Sequence, residues 1–317
     1  MTKPTRPPTT RSGEPPTERP PVGPMSRRLH LMELRFPLEG AAYIVMQPLL
    51  RILHIKGHRH AVLVLPGGMG GDGSTIFLRW GIRNLGYSVH GWGLGRNMGL
   101  NDKMLAGLRA RVDELYALFG SKISVIGWSL GGLYARMLAR DMPEKVRQVI
   151  TLGSPFRMVE TDQFAHNMIG RARWERFVAA HAAELDLLRV HEHDRPPITV
   201  PTTAVYSRRD GFAPWQLSID ETGPNAPNPR AQNVEIGGTH TGLSTNVVAL
   251  AVVLDRLAQR DEDWKPFKPL PLLRGFYPPP ATWTHPTVSQ TPKQSPSRGA
   301  SNPARPATSR KSQHAQR

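Results

Sequence analysis

Apolar and polar positions follow two alternating periods through the middle of the chain. Short, partly β-branched apolar runs predict buried strands, and the segments between them, with apolar residues every three or four positions, predict helices. Strands are predicted over 61–65, 87–92, 123–126, 149–152, 199–206 and 234–236, and helices over 74–85, 101–119, 130–140 and 245–258. This alternation predicts an α/β fold with a mostly parallel sheet flanked by helices on both faces.

The alternation stops after the strand at 149–152. Residues 155–197 carry helical patterns with no clear strand, and they predict an insertion before the sheet resumes. We therefore expect one domain over residues 29–264, with this insertion inside it.

Both ends of the chain differ in composition from the middle. Of the 31 prolines, 8 lie in residues 1–24 and 11 in residues 266–317, so the segments 1–28 and 265–317 are predicted to be disordered tails. The net charge is +16, and +10 of it lies in residues 1–28 and 278–317. The tails could contact anionic surfaces weakly, but their cations are not interleaved with aromatic residues, so no specific nucleic-acid binding is expected.

Composition also excludes some chemistry. The chain has no cysteine, so disulfides, thiolate metal sites and a cysteine nucleophile are excluded. No stretch reaches the ~18 apolar residues that span a bilayer, and the first 24 residues lack the apolar core of a secretory signal. We expect a cytoplasmic protein. Nothing in the sequence predicts its oligomeric state.

The candidate chemistry is concentrated at the junction between the strand at 123–126 and the helix that follows. Gly127-Trp128-Ser129-Leu130-Gly131 is a G-x-S-x-G motif at this junction. A nucleophile on so tight a turn needs small residues two positions before and after it, and the helix N-terminus offers N–H groups to a developing oxyanion. The motif predicts that Ser129 is a nucleophile. The alternative is a serine that only caps the helix.

A nucleophilic serine needs a base and an acid that orients the base. His240 follows the last predicted strand in a loop of small residues, and Asp210 follows the strand before it. We predict His240 as the base and Asp210 as the acid, with Asp194 and Glu235 as weaker candidates for the acid. The alternatives are a polar loop histidine and a carboxylate paired with a neighbouring arginine.

These motifs resemble the α/β-hydrolase superfamily, and within it the bacterial lipase/esterase branch that includes the GPI-inositol-deacylase-like hydrolases. The resemblance covers about residues 58–260. It implies an eight-stranded sheet, a helical cap at about 155–197, and a triad in the chain order Ser, Asp or Glu, His. The loop that follows the first strand aligns with the family's H-G-x-x-G, with Pro66 in place of the histidine.

The resemblance also implies roles for residues around the nucleophile. Aligned on Gly67, the oxyanion donors are the N–H groups of Gly68 and Leu130, with Met69 next in line. Substrate contacts are expected from three residues near the pocket: Trp128, Arg96 and Asn97. For the stretch of Arg96 and Asn97, the alternative is a structural turn with a buried arginine. A phosphate-binding role for the glycine-rich loop is not favoured, because neither nucleotide-binding glycine pattern is satisfied.

The expected function is therefore hydrolysis of carboxylic esters through an acyl-enzyme on Ser129, with a small-molecule or lipid ester as substrate. No metal or organic cofactor is expected. Residues 191–194 could ligate a metal, but a solvated edge of the cap is favoured. Two alternatives stay open: an acyltransferase that uses the same acyl-enzyme, and a non-catalytic interaction protein with this fold.

Overall fold

The computed structural model describes residues 22–53, 60–99, 101–158, 162, 170–172, 175–176 and 192–283. The strands are β1 (Ala61–Leu65), β2 (Ser88–Gly91), β3 (Ile123–Trp128), β4 (Val146–Leu152), β5 (Thr202–Tyr206) and β6 (Ala231–Glu235). The α-helices are α1 (Arg27–Met32), α2 (Phe36–Leu53), α3 (Ile76–Arg83), α4 (Asp102–Phe119), α5 (Leu130–Asp141) and α6 (Val247–Ala258). Short 3₁₀ helices span Glu33–Arg35, Asp72–Thr75, Glu192–Asp194, Trp215–Leu217, Gly242–Thr245 and Pro271–Phe276.

The six strands form one sheet in the order β2-β1-β3-β4-β5-β6, and every neighbouring pair is parallel. Successive residues of β1 point to opposite faces of this sheet. Val62 and Val64 pack in a cluster with residues of α2, α3 and α6, whereas Leu63 and Leu65 pack with residues of α4 and α5. The sheet is thus buried on both faces, which explains why the central strands β1 and β3 are largely apolar at successive positions. The predicted fold class is confirmed.

Local signals placed most elements correctly. Helix α4 begins where Asn101 accepts a hydrogen bond from the N–H of Met104, and it ends at Gly120, whose φ of 62° favours glycine. All six predicted strands are present, the first with the predicted bounds and the other five with shifted ends. The resemblance implied eight strands, whereas the described residues contain six.

The helical run at the N-terminal end was not predicted. Residues 27–53 form α1, a 3₁₀ turn and α2, although Pro37, Gly40 and Pro48 lie within this segment. Its apolar residues are not confined to one side, so the helical period is weak in the sequence. In the described residues, no helix is both long enough and apolar enough to cross a bilayer.

The predicted domain boundary at residue 264 is too early. Phe267 donates its N–H to Gln232, and Ala281 donates its N–H to the hydroxyl of Tyr206. This proline-rich segment packs along β6, an edge strand whose unpaired backbone needs cover. The tail residues 1–21 and 284–317, and most of the predicted cap at 155–197, lie outside the described residues.

Candidate active site

The G-x-S-x-G motif forms a strained turn between β3 and α5. Ser129 has φ 52° and ψ −124°, a conformation that residues other than glycine seldom adopt. The residues two positions before and after Ser129 must be small. A Cβ on Gly127 would lie 2.3 Å from the carbonyl oxygen of Gly131. A Cβ on Gly131 would lie 2.5 Å from the carbonyl oxygen of Leu65. The two glycines let β3, α5 and β1 approach closely enough to present the serine hydroxyl at the edge of the sheet.

The structure brings Ser129, His240 and Asp210 together. The Oγ of Ser129 lies 2.9 Å from Nε2 of His240, and Nδ1 of His240 lies 2.7 Å from Oδ2 of Asp210. The other carboxylate oxygen of Asp210 accepts hydrogen bonds from the N–H groups of Phe212 and Ala213. Asp210 and His240 are both buried, so the carboxylate is fixed and the imidazole is held between it and the serine. Arg208 pairs with Glu235 rather than with Asp210.

The electrostatics of His240 favour its protonated form. Burial lowers the pKa of His240, but the charge of Asp210, the hydrogen bond to it and the charge of Glu33 together outweigh burial, so the pKa is raised above its ordinary value. A base whose protonated form is stabilised takes the proton of an attacking hydroxyl more readily. The arrangement is therefore suited to general-base activation of Ser129.

Glu33 was not identified from the sequence, and it connects the loop of Asp210 with the loop of His240. Its Oε1 accepts hydrogen bonds from the N–H groups of Gly211 and His240, each 2.8 Å long, and its Oε2 accepts one of 3.0 Å from Thr241. The carboxylate is buried. It thus fixes the backbone beside Asp210 and the backbone of His240 itself. No local pattern could have revealed this role, because the residues it contacts are 178 to 208 positions away in the chain.

Two of the three predicted oxyanion donors are available. In the part of the chain that the structure describes, no residue accepts a hydrogen bond from the N–H of Gly68 or Leu130. A Cβ on Gly68 would lie 3.6 Å from the Leu130 side chain, so the two residues adjoin. The prediction for Met69 is wrong, because its N–H donates to the carbonyl oxygen of Asn97 at 2.6 Å.

The structure gives Asn97 a positioning role instead of a substrate contact. Its side chain is fully buried, and its Nδ2 donates to the carbonyl oxygen of Pro66 at 2.9 Å. Its Oδ1 accepts a hydrogen bond from the hydroxyl of Tyr134. With its backbone bonded to Met69 and Gly70, Asn97 holds the loop that carries Gly68.

The other two predicted substrate contacts differ in their surroundings. Trp128 is partly buried, donates its indole N–H to the carbonyl oxygen of His240, and has its ring 5.9 Å from the imidazole. It packs against the base and helps to fix it. Arg96 is exposed to solvent. A substrate contact by Arg96 stays a prediction.

The expected solvated edge at 191–194 is wrong for Glu192. This side chain is only 10% exposed and pairs with Arg136 at 2.6 Å and with Arg140, while Arg136 also pairs with Asp220 at 2.7 Å. Burial raises the pKa of Glu192, but the two arginines outweigh it and lower the pKa. The cluster ties α5 to the segment before β5. Within the described ranges, no group of three or more histidine or acidic side chains is arranged to hold a metal ion.

The strand order, the strained serine turn and the loops of Asp210 and His240 at the carboxyl edge of the sheet define an α/β-hydrolase fold. No protein-family model matches the chain. A pimeloyl-acyl-carrier-protein methyl ester esterase from Neisseria meningitidis is 28% identical over a 109-residue alignment, with coverage of 27% of this chain and 43% of that protein. The match therefore spans less than half of the relative's length.

Solved structures with similarity to the chain include two described as lipolytic. A monoacylglycerol lipase from Paleococcus ferrophilus matches with a TM-score of 0.46 and 13% identity, over 64% of this chain and 96% of that one. A structure reported for the metagenome-derived lipolytic enzymes LipS and LipT matches with a TM-score of 0.44 and 17% identity, over 64% and 93%. The GPI-inositol-deacylase-like branch stays a prediction.

Proposed function

We propose that this protein is a serine hydrolase that cleaves carboxylic esters through an acyl-enzyme on Ser129. The observation that carries the proposal is the continuous hydrogen-bonded chain from Ser129 Oγ through His240 to Asp210. The adjoining N–H groups of Gly68 and Leu130 support it, because they can donate to an oxyanion beside the serine.

In the first half of the reaction, Ser129 Oγ attacks the ester carbonyl carbon while Nε2 of His240 takes the hydroxyl proton. The carbonyl oxygen becomes an oxyanion that the N–H groups of Gly68 and Leu130 stabilise; losing one such donor typically costs about 3–4 kcal/mol of barrier. When the C–O bond breaks, His240 returns its proton to the leaving alcohol. An ester on Ser129 remains.

In the second half, water attacks the acyl-enzyme. His240 takes one proton from the water as the new C–O bond forms, and the same two N–H groups stabilise the second oxyanion. Collapse of this intermediate breaks the bond to Ser129 Oγ, which regains the proton from His240. A carboxylic acid leaves. Asp210 holds the imidazole in the required tautomer throughout.

The substrate class proposed is a small-molecule or lipid ester. The curated relative described above is named a methyl ester esterase, and this name supports an ester rather than an amide as the bond that is cleaved. The similarity covers too little of that relative to suggest the acid or the alcohol.

The test is hydrolysis of a series of p-nitrophenyl esters, from acetate to palmitate, by the wild type and Ser129→Ala, together with labelling by a fluorophosphonate. Ser121→Ala is the control, because it removes a serine hydroxyl outside the site. We expect Ser129→Ala to lower kcat by at least about 10⁴-fold and to abolish labelling, with the control unchanged. A Ser129→Ala variant with wild-type turnover, or a wild type that neither turns over nor labels, would overturn the proposal.

A further inference from the structure

The helical run at 27–53 exposes its most apolar side. The exposed fraction of the side chain is 76% for Leu34, 71% for Leu38, 74% for Val45 and 80% for Ile52. The residues of this exposed side recur every three or four positions: Leu31, Leu34, Leu38, Ala41, Val45, Pro48 and Ile52. We call this surface the α1–α2 face. Such a continuous exposed apolar surface is typical of an interaction site.

The opposite side of the same run carries more polar residues and faces the protein. Glu33, Tyr43, Gln47 and Leu50 are buried there. Helices of globular proteins normally turn their apolar side inward, so the reversed pattern indicates a second apolar environment outside the domain.

The width of the α1–α2 face distinguishes between kinds of partner. At 100° per residue, the seven positions of the face cover an arc of about 100°, and the exposed residues Ala42, Ile44 and Leu49 beside them widen the apolar arc to about 160°. A coiled-coil partner would need only the narrow seam of two positions in seven. A wide apolar arc flanked by cations is the pattern of a helix that lies in the plane of a membrane interface.

The charges around the face favour an anionic surface. Among the described side chains of residues 22–53, the exposed charged ones are Arg27, Arg28 and Arg35. The two carboxylates of the run are Glu33, which is buried, and Glu39, which accepts hydrogen bonds from the N–H of Thr239. No exposed carboxylate on the described part of this run would repel an anionic lipid headgroup.

Further exposed apolar residues lie on α3, which contacts the buried side of α2 through Tyr43. In α3, Ile76, Phe77 and Trp80 are exposed, and Tyr43 of α2 joins the two helices by donating its hydroxyl proton to the carbonyl oxygen of Phe77.

The face also begins beside the catalytic loops. Glu33 binds the backbone of His240, and the ring of His30 lies 6.0 Å from that of Phe212, which is 5.5 Å from His240.

We propose that the α1–α2 face docks the protein on the surface of a membrane that contains anionic phospholipid. This interaction goes beyond the proposed ester hydrolysis and does not depend on it. Docking would bury the exposed leucines and valine at the level of the headgroups, with Arg28 and Arg35 beside the lipid phosphates.

The test is co-sedimentation of the full chain with vesicles of phosphatidylcholine alone, or of equal parts phosphatidylcholine and phosphatidylglycerol. The variant is Leu34→Gln/Leu38→Gln/Val45→Gln. The matched control is Leu118→Gln/Leu272→Gln, which changes residues that are 67% and 91% exposed on other surfaces. We expect the wild type and the control to bind the anionic vesicles, and the variant's partition coefficient to fall by roughly tenfold or more.

Three results would overturn the proposal. The wild type could fail to bind either kind of vesicle. The triple variant could bind as well as the wild type, and this second result would assign binding to the tails. Light scattering could also show a wild-type dimer that the triple variant dissociates, which would assign the face to a second copy. Thermal unfolding followed by circular dichroism checks that the variant is folded. Arg28→Gln/Arg35→Gln is expected to reduce the preference for the anionic vesicles.

Discussion

Glu33→Gln tests whether one carboxylate outside the triad holds the triad together. The substitution keeps the size and shape of the side chain and removes its charge. In the folded protein, the two oxygens of Glu33 accept three backbone hydrogen bonds, two on one oxygen and one on the other. A glutamine can present only one oxygen, so its amide nitrogen must face at least one backbone N–H, donor against donor.

The magnitude follows from the kind of bond that is lost. A hydrogen bond to a charged group contributes about 1.5–3 kcal/mol, and an unsatisfied buried N–H costs about 1–3 kcal/mol. We therefore expect Glu33→Gln to lower the free energy of unfolding by about 2–4 kcal/mol, or Tm by roughly 5–15 °C. Because the loops of Asp210 and His240 both lose a fixed contact, we expect kcat to fall by roughly 10- to 100-fold.

The pH dependence separates positioning from general destabilisation. Burial lowers the pKa of His240, whereas Asp210 and Glu33 raise it, and the net shift is upward from 6.5. His240 acts as a base only when neutral, so kcat/KM rises with pH through this pKa. Without the Glu33 charge the pKa falls, and the acid limb of the pH profile moves to lower pH. In the wild type, the raised pKa of His240 means that protonating this residue stabilises the fold. This stabilisation is complete below pH 6.5 and is lost as pH rises through the raised pKa.

Glu39→Gln is the matched control, because Glu39 lies on the same helical run and accepts a hydrogen bond from the N–H of Thr239. It contacts neither His240 nor the acid loop, so it should lower Tm without moving the acid limb. Steady-state kinetics on a p-nitrophenyl ester from pH 5 to pH 9, at constant ionic strength, measures both effects. Wild-type kcat and an unmoved limb in Glu33→Gln would refute the positioning role.

Three further variants test other parts of the structure. Asn97→Ala removes the side-chain clamp on the Gly68 loop, so kcat should fall about tenfold with KM unchanged; a change in KM alone would contradict this role. Gly131→Ala should prevent folding or abolish activity, because its Cβ would lie 2.5 Å from a carbonyl oxygen. The control Gly237→Ala should be neutral, because its Cβ would enter open space. Equal Tm values for the two variants would contradict the geometry. Arg136→Met leaves the carboxylates of Glu192 and Asp220 without that partner, so the free energy of unfolding measured in urea should fall by about 3–5 kcal/mol. A fall of less than about 1 kcal/mol would show that the cluster adds little stability.

Features that depend on neighbours in sequence could be predicted without a structure. The G-x-S-x-G motif lies between a strand and a helix, and such a turn allows only small residues two positions before and after the serine. The apolar runs of β1, β3 and β4 identify buried parallel strands for the same reason, since a strand covered on both faces needs apolar residues at successive positions. Asp210 and His240 could be predicted because parallel strands end at one edge of the sheet.

Tertiary structure alone determined the contacts that join distant segments. Glu33 contacts the loops of Asp210 and His240 across about 200 residues, and Glu192 is largely covered where α5 supplies two arginines. The N–H of Met69 donates to the carbonyl oxygen of Asn97, a contact that aligning glycine-rich loops does not predict. Hydrophobic periodicity reports which side of an element is covered, but not which element covers it. The pairing of buried polar groups depends on which element covers them, because each such group needs a partner that only packing provides.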